Sequence, residues 1–261
     1  MDKDRSVSAS ACPSLADAEV ESIERATLDA VVPDRLECLP GWLLPMFDGT
    51  VGRARSAVPL QHVQADPADI ESIVGRYRAQ GYSPAFRLPD SPSFNRFHAH
   101  LRRQGFLSEQ PTLTMIGQVE NLLKLHAGPL GELQAKADAQ WMDMFLGPGL
   151  DPVDGASRAR ALSRATNTLF ASVREAERTV ASGAAAFGHG WLSVHGMRTH
   201  AAHRGQGHAR RVLATMAEEA LQRGVTKVFL QVDAANVPAI ALYRRAGMVI
   251  AWAYSYWRPA A

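Results

Sequence analysis

The segment Arg204-Gly205-Gln206-Gly207-His208-Ala209 constrains this chain more than any other. It stands between an apolar stretch ending at Thr199 and a run in which Val212, Leu213, Met216, Ala217, Ala220 and Leu221 recur at helical spacing. Two glycines two residues apart let a backbone turn tightly and aim successive N–H groups in one direction. The helix behind them adds the positive end of its dipole, about half an elementary charge. Strand, tight turn and helix together predict an α/β chain with an anion site suited to a pyrophosphate, where Arg204 adds a charge-assisted contact. The segment is not a dinucleotide fingerprint, because the third glycine and the early strand–helix–strand order are missing, and it lacks the Gly-Lys-Ser/Thr of a Walker loop. Alone, Gly-x-Gly also fits a helix start that is merely tight.

The surrounding pattern sets the rest of the fold. Upstream, Thr168–Val173, Thr179–Phe187 and Trp191–Thr199 read as three strands, broken by the charged turn Arg174–Arg178 and by Gly188 and Gly190 into an antiparallel meander. Downstream, the helix His208–Arg223 stops at Gly224, and Val225–Val232 alternates Val228, Leu230 and Val232 on one face of a strand. Asn236-Val237-Pro238 opens a further helix that ends at Gly247, and Val249–Trp257 is a closing strand rich in aromatics. Before the meander, Leu130–Ala137 reads as a strand and Asp138–Phe145 and Val153–Ala165 as helices around Gly147-Pro148-Gly149. Earlier still, Ser14–Val31 is helical with Leu15, Val20, Ile23 and Leu28 inward, and Trp42–Val58 reads as strands turning at Asp48-Gly49. A helix from Asp66 to Gln80, a strand Pro84–Leu88, a helix Ser93–Gln104 and a strand Thr112–Gly117 follow. Residues 1–14 read as a loose polar tail. The sum is α/β with a mixed sheet.

Composition removes several function classes. A formal charge of +2 over 261 residues, with arginines in scattered doublets, gives nucleic-acid binding no electrostatic support. No run of about 18 apolar residues predicts a membrane span. The charged start Met1-Asp2-Lys3-Asp4-Arg5 lacks the apolar stretch of a signal peptide, so a cytoplasmic location is expected. Cys12 and Cys38 stand in no metal-like spacing and are expected as reduced thiols; no metal is expected.

Two motifs in fixed order then carry a resemblance. Arg204, Gly207 and Ala209 fill the phosphate-loop pattern Arg/Gln-x-x-Gly-x-Gly/Ala. Asn236, Ala239, Leu242, Tyr243 and Gly247 fill a downstream block, with seven residues from Asn236 to Tyr243. In both, the sequence resembles the GCN5-related N-acetyltransferase (GNAT) superfamily, from about Thr168 to Arg258 and loosely from Gly128. The resemblance implies acetyl-CoA as co-substrate. Backbone groups at Met197, Arg198 and Thr199 would pair with the pantetheine arm, and Gly205, Gln206, Gly207, His208, Ala209 and Arg210 would hold the pyrophosphate beside Arg204. Asn236 would contact the arm. Tyr243, protonated at neutral pH with an ordinary pKa near 10, would act as general acid toward the departing thiolate. His195 is at a position where some members carry a catalytic histidine, although a lone strand histidine is ordinarily structural. Other members place a glutamate five residues before the Asn; Gln231 stands there and cannot accept a proton usefully.

Residues 66–117 repeat 208–250 in outline, and His100-Leu101-Arg102-Arg103-Gln104-Gly105-Phe106 parallels Leu242-Tyr243-Arg244-Arg245-Ala246-Gly247-Met248. The first copy lacks the phosphate loop and the tyrosine. The expected organisation is thus tandem: a degenerate GNAT-like domain over 1–125, which shapes the acceptor cleft or supports its neighbour, and a catalytic domain over 126–261. The expected activity is transfer of an acetyl group to a small-molecule or peptide amine; a non-catalytic acyl-CoA-binding regulatory module is the alternative. A homodimer is left open, and Trp252, Tyr254, Tyr256 and Trp257 are read as strand packing or the wall of an acceptor pocket.

Overall fold

Residues 15–63, 65–147 and 150–260 are described by the computed structural model; the expected tail and Cys12 lie outside them. The first half opens with α1 (Asp17–Val31) and an antiparallel meander of β1 (Arg35–Leu39), β2 (Trp42–Met46) and β3 (Val58–Pro59). Then come α2 (Asp69–Ala79), β4 (Phe86–Pro89), α3 (Asn95–Arg103) and β5 (Phe106–Gln118). The short α4 (Val119–Leu123) leads to β6 (Glu132–Gln134), α5 (Ala139–Asp143) and α6 (Pro152–Ser163). The second half follows the same plan: a meander of β7 (Thr168–Glu175), β8 (Arg178–Gly188) and β9 (Trp191–Thr199), then α7 (His208–Gln222), β10 (Lys227–Asp233), α8 (Val237–Arg245) and β11 (Val249–Pro259).

The resemblance between halves extends further than the sequence suggested. In the second half β9 runs parallel to β10 across the α7 crossover; in the first, Ala57 just before β3 bridges Phe86 of β4 in parallel across α2. The main sheet has the order β4-β11-β5-β10-β9-β8-β7-β6. Each half has therefore given its last strand to the other. β5 lies antiparallel to β10, from Thr112 opposite Asp233 to Gln118 opposite Lys227, while β11 lies antiparallel to β4, from Tyr254 opposite Pro89 to Trp257 opposite Phe86. The exchanged strands pair with each other along most of their length.

The cores follow the exchange. Trp257 of β11 is buried with Trp42, Phe86, Phe97 and Phe106 of the first half, and Met115, Val119 and Leu122 are buried against α7 and β10 of the second. Two expectations need correction. Trp42–Val58 is two short strands separated by a 3-10 turn, Gly52–Ala54, rather than strands meeting at Asp48-Gly49. Leu130–Ala137 is a strand over three residues only, where β6 pairs with β7.

Candidate active site

Strands β9 and β10 pair only from Trp191 opposite Lys227 to Val194 opposite Leu230, then separate. The cause is local. Ser182 of β8 faces Arg198 and Ala184 faces His195, so Gly183 opposes two residues, Gly196 and Met197, in a bulge. Gly196 has φ +59°, and a Cβ there would stand 2.8 Å from Leu162 and 2.9 Å from Phe145, so only glycine fits. The bulge bends β9 away and leaves backbone groups of both strands unpaired with one another beyond Val194 and Leu230. A cavity of about 230 Å³ occupies the gap.

The sheet divides this site into two sides. On the α7 side, Leu192 and Val194 of β9 and Val228, Leu230 and Val232 of β10 are buried with α7 and α8. Tyr243 belongs to this side, buried on α8 and reaching the cavity. Burial pushes its phenol up to about 12. It lines the cavity, and among the described residues no hydrogen bond engages its hydroxyl. Asn236 caps α8, its Oδ1 accepting from the Ala239 N–H at 3.3 Å, and it lines the cavity too.

The phosphate-loop residues Arg204–Arg210 lie past the end of the opening and do not line the cavity. Gly207, at φ +89°, caps α7 with no side chain on its first N–H groups, and the first turn carries no acidic residue. Arg204, Gly205, Gln206 and Arg210 are exposed, whereas His208 is buried 3.4 Å from Glu175. Of the predicted donor-side residues, Met197, Arg198 and Asn236 meet at the cavity with His195 and Tyr243; Thr199 and the loop continue outward from it.

The α1 side carries Ser193, His195 and, after the bulge, Arg198 of β9, with Phe229, Gln231 and Asp233 of β10. His195 is buried and neither ring nitrogen has a partner; burial, then the nearby Arg53 charge, holds its pKa well below 6.5. It is a neutral imidazole and a weak base. Arg53, from the 3-10 turn of the first half, donates to Gln231 Oε1 at 3.0 Å. Thr50, three residues earlier, fixes this turn to α6: its N–H donates to Ser157 Oγ at 3.0 Å and its hydroxyl to Asp154 at 2.7 Å. Tyr254 and Tyr256 of β11 and Gln110 and Thr112 of β5 complete the wall, so these two tyrosines do line a pocket, while Trp257 is packed in the first half and Trp252 stands edge-on to His62. Sequence reasoning missed Arg53. It lies 178 residues from Gln231, and no periodicity links a 3-10 turn to a strand so far along the chain.

Among the described residues, no group of three or more His, Cys, Asp or Glu side chains is placed to hold a metal ion, and no helix is long and apolar enough to cross a membrane.

Comparison with known proteins bears on this geometry. Residues 17–257 match the family described as "Probable histone acetyltransferase Rv0428c C-terminal". A GCN5-related N-acetyltransferase from Kribbella flavida is 20% identical and superposes with a TM-score of 0.68, covering 93% of this chain and 96% of that one. A functionally unknown conserved protein from Staphylococcus epidermidis is 12% identical, with a TM-score of 0.65 over 87% of this chain and 94% of that one. A tandem GNAT protein from the clavulanic acid biosynthesis pathway is 15% identical, with a TM-score of 0.54 over 93% of this chain and 96% of its own. These likenesses establish the fold. None of the curated proteins matches the sequence.

Proposed function

The chain belongs to the family described as "Probable histone acetyltransferase Rv0428c C-terminal", within the GNAT superfamily, and from that premise we propose that it transfers an acetyl group from acetyl-CoA to a primary amine. The observation that carries the proposal is the gap between β9 and β10, one cavity lined by Tyr243 and Asn236 on one side and by Arg53, His195 and Gln231 on the other, with the uncapped start of α7 beyond its end. The co-substrate suits this arrangement: N–H groups with no side-chain cap at the start of α7 suit its pyrophosphate, and the free edges past Val194 and Leu230 suit its amide-bearing arm.

Bound there, acetyl-CoA supplies an activated thioester. The neutral amine nitrogen, on the α1 side, forms a bond to the acetyl carbon, and the carbon–sulfur bond breaks with its electron pair left on sulfur. Tyr243 lines the gap from the opposite side, and its hydroxyl proton is donated to that sulfur; the new amide nitrogen loses its extra proton to solvent, and solvent returns a proton to the tyrosine oxygen. A phenol pushed up to about 12 by burial stays protonated at every physiological pH, as a donor requires. His195 orients the amine by accepting a hydrogen bond from it. Because its pKa is depressed, it does not hold the proton, so the amine must arrive neutral or lose its proton through solvent.

Thiol release from acetyl-CoA across a panel of amines tests the activity, and Tyr243→Phe should lower kcat about 100-fold while acetyl-CoA affinity is kept. Full turnover by that variant removes the tyrosine from the chemistry. The second reading, a non-catalytic acyl-CoA-binding module, is favoured by Gln231 where relatives place a carboxylate. It predicts thermal protection by acetyl-CoA with no thiol released for any amine.

A further inference from the structure

We propose that the acceptor is an amine that also bears a carboxylate, and that Arg53 reads that carboxylate. The inference rests on the transferase reading above and deepens it. It comes from the charges on the α1 side of the cavity, the side opposite Tyr243.

Three guanidinium groups line that pocket, Arg53, Arg158 and Arg198, against one carboxylate, Asp233. Arg158 is neutralised, because its Nε sits 2.6 Å from Asp154. The other two form no ion pair, although the charge of Asp154 acts on Arg198 and that of the buried Glu24 on Arg53. Among the described residues no carboxylate lies within 4.0 Å of Arg53 or Arg198. Arg198 lies over the Phe145 ring at 5.1 Å, with its buried Nε unpartnered. Arg53 spends one N–H on Gln231, a neutral amide, at the position where a carboxylate would have cancelled it. Gln231 Nε2 and both nitrogens of His195 are also buried without partners.

Cations without a direct ion pair and orphaned polar atoms in one pocket are costly unless an anion completes them. Arg53 is also held still. Its turn is tied to α6 through Thr50, and Gly52 beside it lies against Tyr256, where a Cβ would stand 2.8 Å from the ring. A guanidinium fixed in place and leaving N–H groups free suits bidentate recognition of a carboxylate. A polyamine or a lysine-rich peptide would bring further cations against Arg53 and Arg198.

The test pairs amines that differ only at the carboxylate: glycine with glycinamide, alanine with alaninamide, with spermidine and a lysine-rich peptide as cationic members. Each is measured by thiol release and, independently of turnover, by calorimetric titration into protein saturated with CoA. The expected result is a preference of about 100-fold for the carboxylate member in kcat/KM, with a matching preference in affinity. That preference should collapse in Arg53→Gln, which removes the cation, and in Gln231→Glu, which cancels it without removing it. Two variants with opposite chemistry and one outcome exclude a folding defect as the cause. A preference for carboxamides, spermidine or the lysine-rich peptide overturns the inference and leaves the transferase reading standing, as does a carboxylate preference that survives both variants. Binding preference without any thiol release overturns the transferase reading instead.

Discussion

Helices α2 and α7 hold equivalent places in the two halves, each following a three-stranded meander and crossing to a parallel strand, yet their first turns carry opposite chemistry. The first turn of α2 holds Asp69 and Glu71, and Asp69 accepts a hydrogen bond from the Trp42 indole at 2.9 Å. Those carboxylates answer the positive end of the helix dipole from within the chain. The first turn of α7 holds no acid and begins at Gly207, so the same positive end is left unanswered. The contrast continues inside. Where Tyr243 meets a cavity, its counterpart Leu101 is fully buried beside Phe97 and Phe106. One half has filled its version of the site with acids and aromatic rings, and the other has kept it open. A shared ground plan thus carries two different chemistries, set by a few residues at each helix start.

The widest-ranging way to break this comparison is to separate the halves. Residues 126–261 expressed alone would lack β5 and leave β10 and β11 without their shared neighbour. We expect no cooperative thermal unfolding transition; a fragment that melts cooperatively would show that the exchange is dispensable. A narrower change sharpens the comparison by giving α7 the character of α2. Gly207→Asp places a carboxylate on the uncapped N–H groups, and acetyl-CoA affinity measured by calorimetry should fall about 100-fold with the fold intact, since aspartate tolerates a positive φ better than most residues. Unchanged affinity would remove the loop from the donor site.

The smallest effect concerns protons. Burial lowers the pKa of His195 and His98, and lowers that of His62 to about 4. In the unfolded chain each would take a proton near pH 6.5, but in the folded protein each stays neutral below that. The unfolded state therefore binds more protons, and stability falls as pH drops from about 6.5 toward the folded values, by up to about 1.4 kcal/mol per pH unit for the fully buried His195 and by less for the partly solvated His98 and His62. Denaturant titrations from pH 8 to 5 should show this slope, and His195→Phe should reduce it. A flat profile would mean that His195 is solvated rather than buried.

Much of this was legible in the sequence where local rules govern. The limits of β9 and the start of α7 follow from alternation, glycine stops and helical spacing, and Met197 and Tyr243, which the motifs single out, both line the cavity. What escaped was either weakly patterned or distant. Strand β1 is short and largely exposed, with even Leu36 and Cys38 facing solvent, so Arg35–Leu39 carries no buried apolar face to mark it. β5 was expected as Thr112–Gly117 but begins at Phe106, because Phe106–Glu109 pairs with Tyr256–Pro259 of β11. That pairing joins residues about 150 positions apart, which periodicity cannot reveal. Arg53 escaped for the same reason: its role depends on a neighbour supplied by tertiary structure.

The strand exchange also bears on how the chain reaches this fold. Although α1, the first meander, α2 and α3 are made early, the sheet of the first half lacks the neighbour of β4 until β11 has been synthesised, and Trp257 is missing from its aromatic core until the same moment. Neither half can mature ahead of the other, so the early segments wait with an open strand edge and unburied rings. Such long-range closure favours slow folding and makes the nascent first half the stage most exposed to aggregation.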